Sequence, residues 1–158
     1  MALEGFEAKR NVLNWFYALA DRARQRARSR RWKAEQATGR MGEDLAHRHL
    51  SRAGMIVVAR NYRTRSGRAE VDLIAWDSDI LVFVEVKTRK NEDFGAPDRA
   101  IGEEKERALC RAAREYSGRI DVPWERVRFD VVNVVLAGTP VVTHLRNALR
   151  PAPRPAIL

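Results

Sequence analysis

Residues 80–90, ILVFVEVKTRK, contain the most apolar run in the chain, yet two charges, Glu85 and Lys87, interrupt it. In an extended strand Val82, Val84 and Val86 share one face, while Leu81, Phe83, Glu85 and Lys87 share the other. A strand apolar on both sides reads as a buried sheet strand, and there an unpaired charge is costly. Something must compensate Glu85 and Lys87.

The same kind of patterning organises the rest of the chain. Residues 4–33 read as helical, with an apolar patch at Leu13, Phe16, Tyr17, Leu19 and Ala20 and the basic run RARQRARSRR behind it. The folded domain is expected to begin near Thr38 and Gly39. MGEDLAHRHLSRA (41–53) predicts a helix with Ala46, Leu50 and Ala53 on its inner stripe, ended by Gly54. MIVVARNYR, AEVDLIAW and ILVFVEVKTR predict three strands, separated by the turns TRSGR and DSD. After a loop containing FGAPD, Asp98 is the expected cap of a helix to about Ser117, with Ala100, Ile101, Ala108, Leu109, Ala112 and Tyr116 inward. VRFDVVNVVL and PVVTHL predict two last strands around a turn at Ala137 and Gly138. The order α-β-β-β-α-β-β predicts an α/β protein, a mixed sheet flanked by helices. Three segments follow: a basic helical extension (1–38), the α/β domain (39–147) and a proline-rich tail, extended and mobile (148–158).

Composition narrows the setting. At 158 residues the chain can bury a core without disulfides, and its one cysteine, Cys110, reads as a small buried hydrophobe in a reducing, cytoplasmic protein. No apolar run reaches the roughly 18 residues that would span a bilayer. The net charge of +9 is uneven: residues 1–40 carry ten Lys/Arg against four Asp/Glu, whereas residues 41–100 carry ten of each. That asymmetry points to a polyanion, either nucleic acid or an anionic membrane met peripherally by residues 4–33, with a solvated basic tail as the bland alternative.

The second strand puts Glu70, Asp72, Ile74 and Trp76 on one face. A two-residue loop at Ser78 and Asp79 would set Asp72 opposite Glu85 and Glu70 opposite Lys87, whereas a three-residue loop would separate the carboxylates. Opposed carboxylates repel. A hard divalent cation, Mg²⁺ or Mn²⁺, would relieve them, with Lys87 placed to stabilise developing negative charge or to orient a nucleophile. The alternative is a purely structural salt-bridge network. Glu43 lies at the end of the inner stripe of its helix and is a candidate third acid, against the ordinary role of an acid in a helix's first turn. Lys105, between Ile101 and Leu109 on one stripe, points inward or snorkels, with a carboxylate or substrate as its partner. His47, His49 and His144 are too scattered to suggest zinc, and the first two read as solvent-facing. Trp15, Trp32, Trp76 and Trp124 read as packing residues before base-stacking ones.

Glu43 on a helix, then Asp72, then Glu85-Val86-Lys87 after a hairpin resembles the PD-(D/E)xK nuclease superfamily, of restriction-endonuclease-like fold, and its Holliday-junction resolvases in particular. GEDLAHRHL, ARNYR, EVDLIAWD, LVFVEVKTR, FGAP and RFDVV are similar to the YraN-like family of small bacterial proteins, proposed endonucleases. The likeness covers about residues 39–147. It implies that Asp72 and Glu85 bind metal, that the Val86 carbonyl is a further ligand, that Lys87 is catalytic, that Glu43 takes the place of the first-helix acid, and that Glu70 matches an acid of undefined role. Ala69 stands where the family pattern usually has Gly, and Val71 where the superfamily has Pro. The resulting expectation is a metal-dependent DNA endonuclease on branched or structured DNA, plausibly a homodimer, with Arg63, Arg65, Arg68, Arg89 and Lys90 as candidate phosphate contacts. The competing expectation is a DNA-binding or junction adaptor that keeps the fold without turnover.

Overall fold

The computed structural model describes residues 2–90 and 102–149, with side chains from residue 22 onward. FGAPD, the expected cap Asp98, Ala100, Ile101, the N-terminal apolar patch and the proline-rich tail lie outside the described side chains. Two units separate, one up to Thr38 and one from Gly39. In place of the two helices that the pattern predicts, a single helix α1 runs Ala2–Arg52. No proline or glycine-rich turn stands between the two predicted stretches, and Gly39 costs only about 1 kcal/mol relative to alanine, too little to end a helix.

In the unit from Gly39, β1 (Ile56–Arg63), β2 (Glu70–Asp77), β3 (Ile80–Arg89), α2 (Glu103–Arg119), β4 (Val127–Val135) and β5 (Val141–Leu149) follow α1. The five strands form one sheet in the order β1-β2-β3-β4-β5. Only β3 and β4 run parallel, because α2 carries the chain back between them. The β2–β3 hairpin has the two-residue loop, with Asp77 paired to Ile80 and Ser78 taking the positive φ of 56° that such a turn needs. A short 3-10 turn (Trp124–Arg126), unforeseen in the sequence, leads into β4. The last strand extends to Leu149, beyond the expected Leu145, across an irregularity opposite Phe129 and Val131.

Each face of the sheet has its own apolar layer. Ile74, Leu81, Phe83 and Phe129 pack with Leu109, Ala112 and Ala113 of α2. Leu73, Ala75, Val82, Val84, Val132 and Val134 pack with Ala46 and Leu50 of α1. The alternation in ILVF is thereby explained, since both of its faces are covered. Phe83 is fully buried, with ring centroids 5.8 Å from Phe129 and 6.0 Å from Tyr116.

Gly42 fixes how closely α1 lies on β3. A β-carbon there would stand 2.8 Å from Thr88 Cβ and 2.9 Å from Thr88 Cγ2. Alanine is the better helix former, by about 1 kcal/mol, but overpacking against a sheet residue costs roughly 1–3 kcal/mol. Gly42→Ala is therefore expected to lower stability by about 1 kcal/mol in urea unfolding; a stabilised variant would show that α1 can retreat without loss.

Candidate active site

Hydrogen-bonded pairing between β2 and β3 ends at Leu73 and Val84, while β3 stays paired to β4 as far as Arg89. The two strands part there, and the next residues, Asp72 and Glu85, stand at the mouth of the fork. The opposition expected between Asp72 and Glu85, and between Glu70 and Lys87, therefore falls beyond the last paired residues. Instead the Asp72 side chain takes over the ladder's work: the Val86 backbone N–H donates to its Oδ2 at 2.7 Å. Burial, and then the nearby Glu85 carboxylate, push the Asp72 pKa up to about 7 against the pull of the Val86 bond and of Lys105.

Glu85 is answered from α2. The Lys105 ammonium lies 3.0 Å from its Oε2, with the Glu85 side chain 13 % exposed. That oxygen is buried and, among the described residues, has no well-directed hydrogen bond, so the contact is an ion pair of poor alignment. Burial disfavours the Lys105 ammonium, but Glu85, joined by Asp72 and Glu70, more than offsets this and the pKa is raised. Lys87, half-buried, follows on the same strand and is the parallel neighbour of Asn133. Asn133 is 5 % exposed and, among the described residues, neither atom of its amide has a hydrogen-bond partner, a polar residue at the site that a scan for charged motifs passes over. Its only sequence signal is a lone amide in the apolar run VVNVV.

Other candidates are held apart. Asn61 donates to Glu43 Oε2 at 3.0 Å, with the Arg60 guanidinium 3.8 Å from the same oxygen. Arg60 also meets Asp44 at 2.6 Å. Glu43 reaches Asp72 only through its field, as the weakest influence on that pKa. Among the described residues, no three His, Cys, Asp or Glu side chains gather closely enough to hold a metal ion. Glu70 pairs with Arg63 at 3.2 Å. Arg65 and Arg68 are exposed in the β1–β2 turn, Arg89 is half-buried and Lys90 is exposed at the end of β3. The Arg65 backbone N–H and the Tyr62 hydroxyl both donate to Glu115, at 3.0 and 2.7 Å, tying this turn to α2.

The sequence motifs give a second polar cluster no role, although Arg128 and Asp130 lie in the RFDVV segment. Asp130, fully buried, accepts from Arg128 Nε and Nη2 at 2.9 and 3.0 Å and from the Asn147 N–H at 2.9 Å, and stands 2.8 Å from His144 Nε2. His49, expected to face solvent, is half-buried, with its ring centroid 5.8 Å from that of His144. Of the tryptophans, Trp76 and Trp124 pack against the core and Trp32 is exposed. Cys110 is half-buried against the same core.

Two features of the fork suit a divalent cation: the Glu85 oxygen without a directed partner, and a carboxylate beside it whose charge burial and repulsion both disfavour. Oxygen donors of that kind fit Mg²⁺ or Mn²⁺, which take carboxylates and keep much of their water.

A mixed five-stranded sheet between helices, with a carboxylate pair where its central hairpin opens, defines a restriction-endonuclease-like α/β protein. The chain belongs to Uncharacterised protein family UPF0102, whose model matches residues 42–134, and this is the YraN-like family that the sequence resembles. It is similar to a UPF0102 protein of Solibacter usitatus, 52% identical over 137 residues that cover 87% of this chain and 99% of the relative. A UPF0102 protein of Nocardia farcinica is 46% identical over 114 residues (71% and 88%), and one of Dictyoglomus turgidum 40% over 99 residues (63% and 82%). These names carry the family and no activity.

Proposed function

We propose that this protein hydrolyses phosphodiester bonds in DNA with the help of a divalent metal, acting as an endonuclease on branched or structured DNA. The observation that carries this reading is the fork itself, where Asp72 and Glu85 share a partly buried mouth with Lys87 two residues on. Such a carboxylate pair opposes folding unless a cation or a proton relieves it, and this arrangement recurs at functional sites.

Asp72, Glu85 and the Val86 carbonyl would hold the ion, Mg²⁺ or Mn²⁺. Bound there, it would supply Lewis acidity and a water of lowered pKa. The chain's own residues do the rest. The Val86 N–H fixes one Asp72 oxygen, which leaves the other for the ion. The Lys105 ammonium stands 3.0 Å from Glu85 Oε2 and balances its charge until an ion is bound. Lys87 offers positive charge to the phosphoryl oxygens as negative charge builds on them.

The test is cleavage of labelled linear duplex, single-stranded and four-way-junction DNA in Mg²⁺ or Mn²⁺. Wild type is expected to cut the junction best, and Lys87→Ala to cut about 10²- to 10³-fold more slowly, the usual cost of losing one preorganised charge partner. If wild type binds these DNAs and cuts none of them under either metal, the nuclease reading fails and an adaptor role takes its place.

Lys105 competes with a metal for Glu85. Its side chain is 41 % exposed, so the pair contributes no more than about 1 kcal/mol, or roughly a fivefold change in affinity. Lys105→Met is accordingly expected to bind Mn²⁺ up to about fivefold more tightly in calorimetry. Weaker binding would make Lys105 a supporting residue of the site instead.

A further inference from the structure

Residues 22–33, RARQRARSRRWK, carry seven Lys/Arg and no acid. They lie in α1, outside the stretch that matches the family, and every residue from 22 to 37 is exposed. At about 100° per residue, Arg22, Arg26, Arg30 and Lys33 fall in a sector about 80° wide, and Arg24, Arg28 and Arg31 in one about 60° wide. The sectors are centred about 170° apart, so the helix has two basic rows on opposite sides. Between them, one flank holds only Ala23, Ala27 and Ala34, and the other holds Gln25, Ser29, Trp32 and Gln36. The second row ends at an ion pair, Arg31 with Glu35 at 2.9 Å.

Each flank narrows the choice of polyanion. A helix lying on a lipid surface presents one continuous face of large apolar residues. Here Trp32, 62 % exposed, is the sole large apolar side chain between residues 22 and 37. A solvated charge run needs no ordering of its residues about the axis. Opposite basic rows flanking a narrow strip of methyl groups suit a groove with phosphates on both sides and base edges on its floor. The major groove of B-form DNA is about 12 Å wide, matching a helix about 10–12 Å across, whereas that of duplex RNA is too deep and narrow to admit one.

We infer that residues 22–34 form a grip for double-stranded DNA, with Ala23, Ala27 and Ala34 toward the groove floor and one basic row on each strand's phosphates. The grip extends the proposed function by naming how duplex is held, and it is independent of the fork's chemistry.

The experiment uses the full chain in EDTA, so that binding is read whether or not the fork cuts. Labelled duplex DNA of about 20 bp, two helical turns, is titrated by fluorescence anisotropy at several salt concentrations. Wild type is compared with a first-row variant (Arg22→Gln, Arg26→Gln, Arg30→Gln, Lys33→Gln), a second-row variant (Arg24→Gln, Arg28→Gln, Arg31→Gln) and Ala27→Leu. Glutamine and leucine are good helix formers, so α1 persists, as circular dichroism would verify. For every phosphate that a variant no longer neutralises, the dependence of log K on log salt flattens by about 0.9. The first-row variant should flatten it by about three and a half units and the second-row variant by about two and a half to three. Ala27→Leu, which changes no charge, should weaken DNA binding several-fold by lifting the helix from the groove. The inference is overturned if one row alone matters, if Ala27→Leu binds as wild type does, or if duplex RNA binds equally well. It is equally overturned if vesicles containing phosphatidylserine are captured and Ala27→Leu strengthens that capture, the result for a lipid surface.

Discussion

Asp72→Asn is expected to abolish cleavage while making the metal-free protein more stable at pH 8. A carboxylate with a pKa near 7 in the folded chain and about 3.9 in the unfolded one binds its proton more tightly when folded. The stability present below pH about 4 is then lost as pH rises through about 7, by up to a few kcal/mol. Asparagine carries no charge to repel Glu85 and can still accept the Val86 N–H, so the variant keeps the ladder's substitute and loses the penalty. Urea unfolding at pH 5 and pH 8 without divalent ions would show it: wild type weakens between the two, and Asp72→Asn weakens much less. Adding Mn²⁺ at pH 8 should restore wild type and leave the variant unmoved. Cleavage should fall about 10³-fold or more, as expected when a charge-bearing partner of the reacting group is removed. A variant that still cuts, or is less stable at pH 8, would remove the fork from the chemistry.

Asp130→Ala is expected to destabilise by about 3–5 kcal/mol, the cost of breaking a buried ion pair by removing one partner. Asp130 fills the irregularity between β4 and β5, where Asn147 adopts a left-handed conformation (φ 51°) and turns its N–H onto the carboxylate. Burial alone would raise its pKa, but the bonds from His144, Arg128 and Asn147 win and lower it. The sign is opposite to that of Asp72. This contribution is present above pH about 4, the unfolded value, and is lost as pH falls through the lower folded value. Deletion leaves Arg128 and His144, their side chains only 18 % and 8 % exposed, without their shared anion. Equilibrium unfolding at pH 7 measures the loss. A change under about 1 kcal/mol, the scale of an exposed pair, would mean that Asp77, 2.8 Å from Arg128, can hold the network alone.

Opposite pH dependences from two buried aspartates give the protein a stability maximum between them when no metal is bound. Asp130 has the Arg128 cation, the His144 ring and a backbone donor, whereas Asp72 has a like charge and a single donor. That difference separates a residue that holds the fold from one that opposes it.

The five strands and the inner stripe of α2 from Ala108 to Tyr116 were legible in the amino-acid sequence, apart from the end of the last strand. Alternation of period 2, helical periodicity and the turn at Ser78 are properties of neighbouring residues, and they place Glu85 and Lys87 on one face before any long-range contact exists. They leave two registers open for Asp72 and Glu85, and the pairing of Asp77 with Ile80 decides between them. Where that register stops is settled in three dimensions, since parting of β2 from β3 depends on β3 staying paired to β4. The same holds for Lys105 reaching Glu85 from α2, Glu43 being drawn aside by Asn61 and Arg60, the burial of the Asn133 amide, and Asp130 meeting His144 across an irregular strand pair. Each joins groups distant in sequence, and their energies depend on burial and on angstrom-scale approach, which no periodicity encodes.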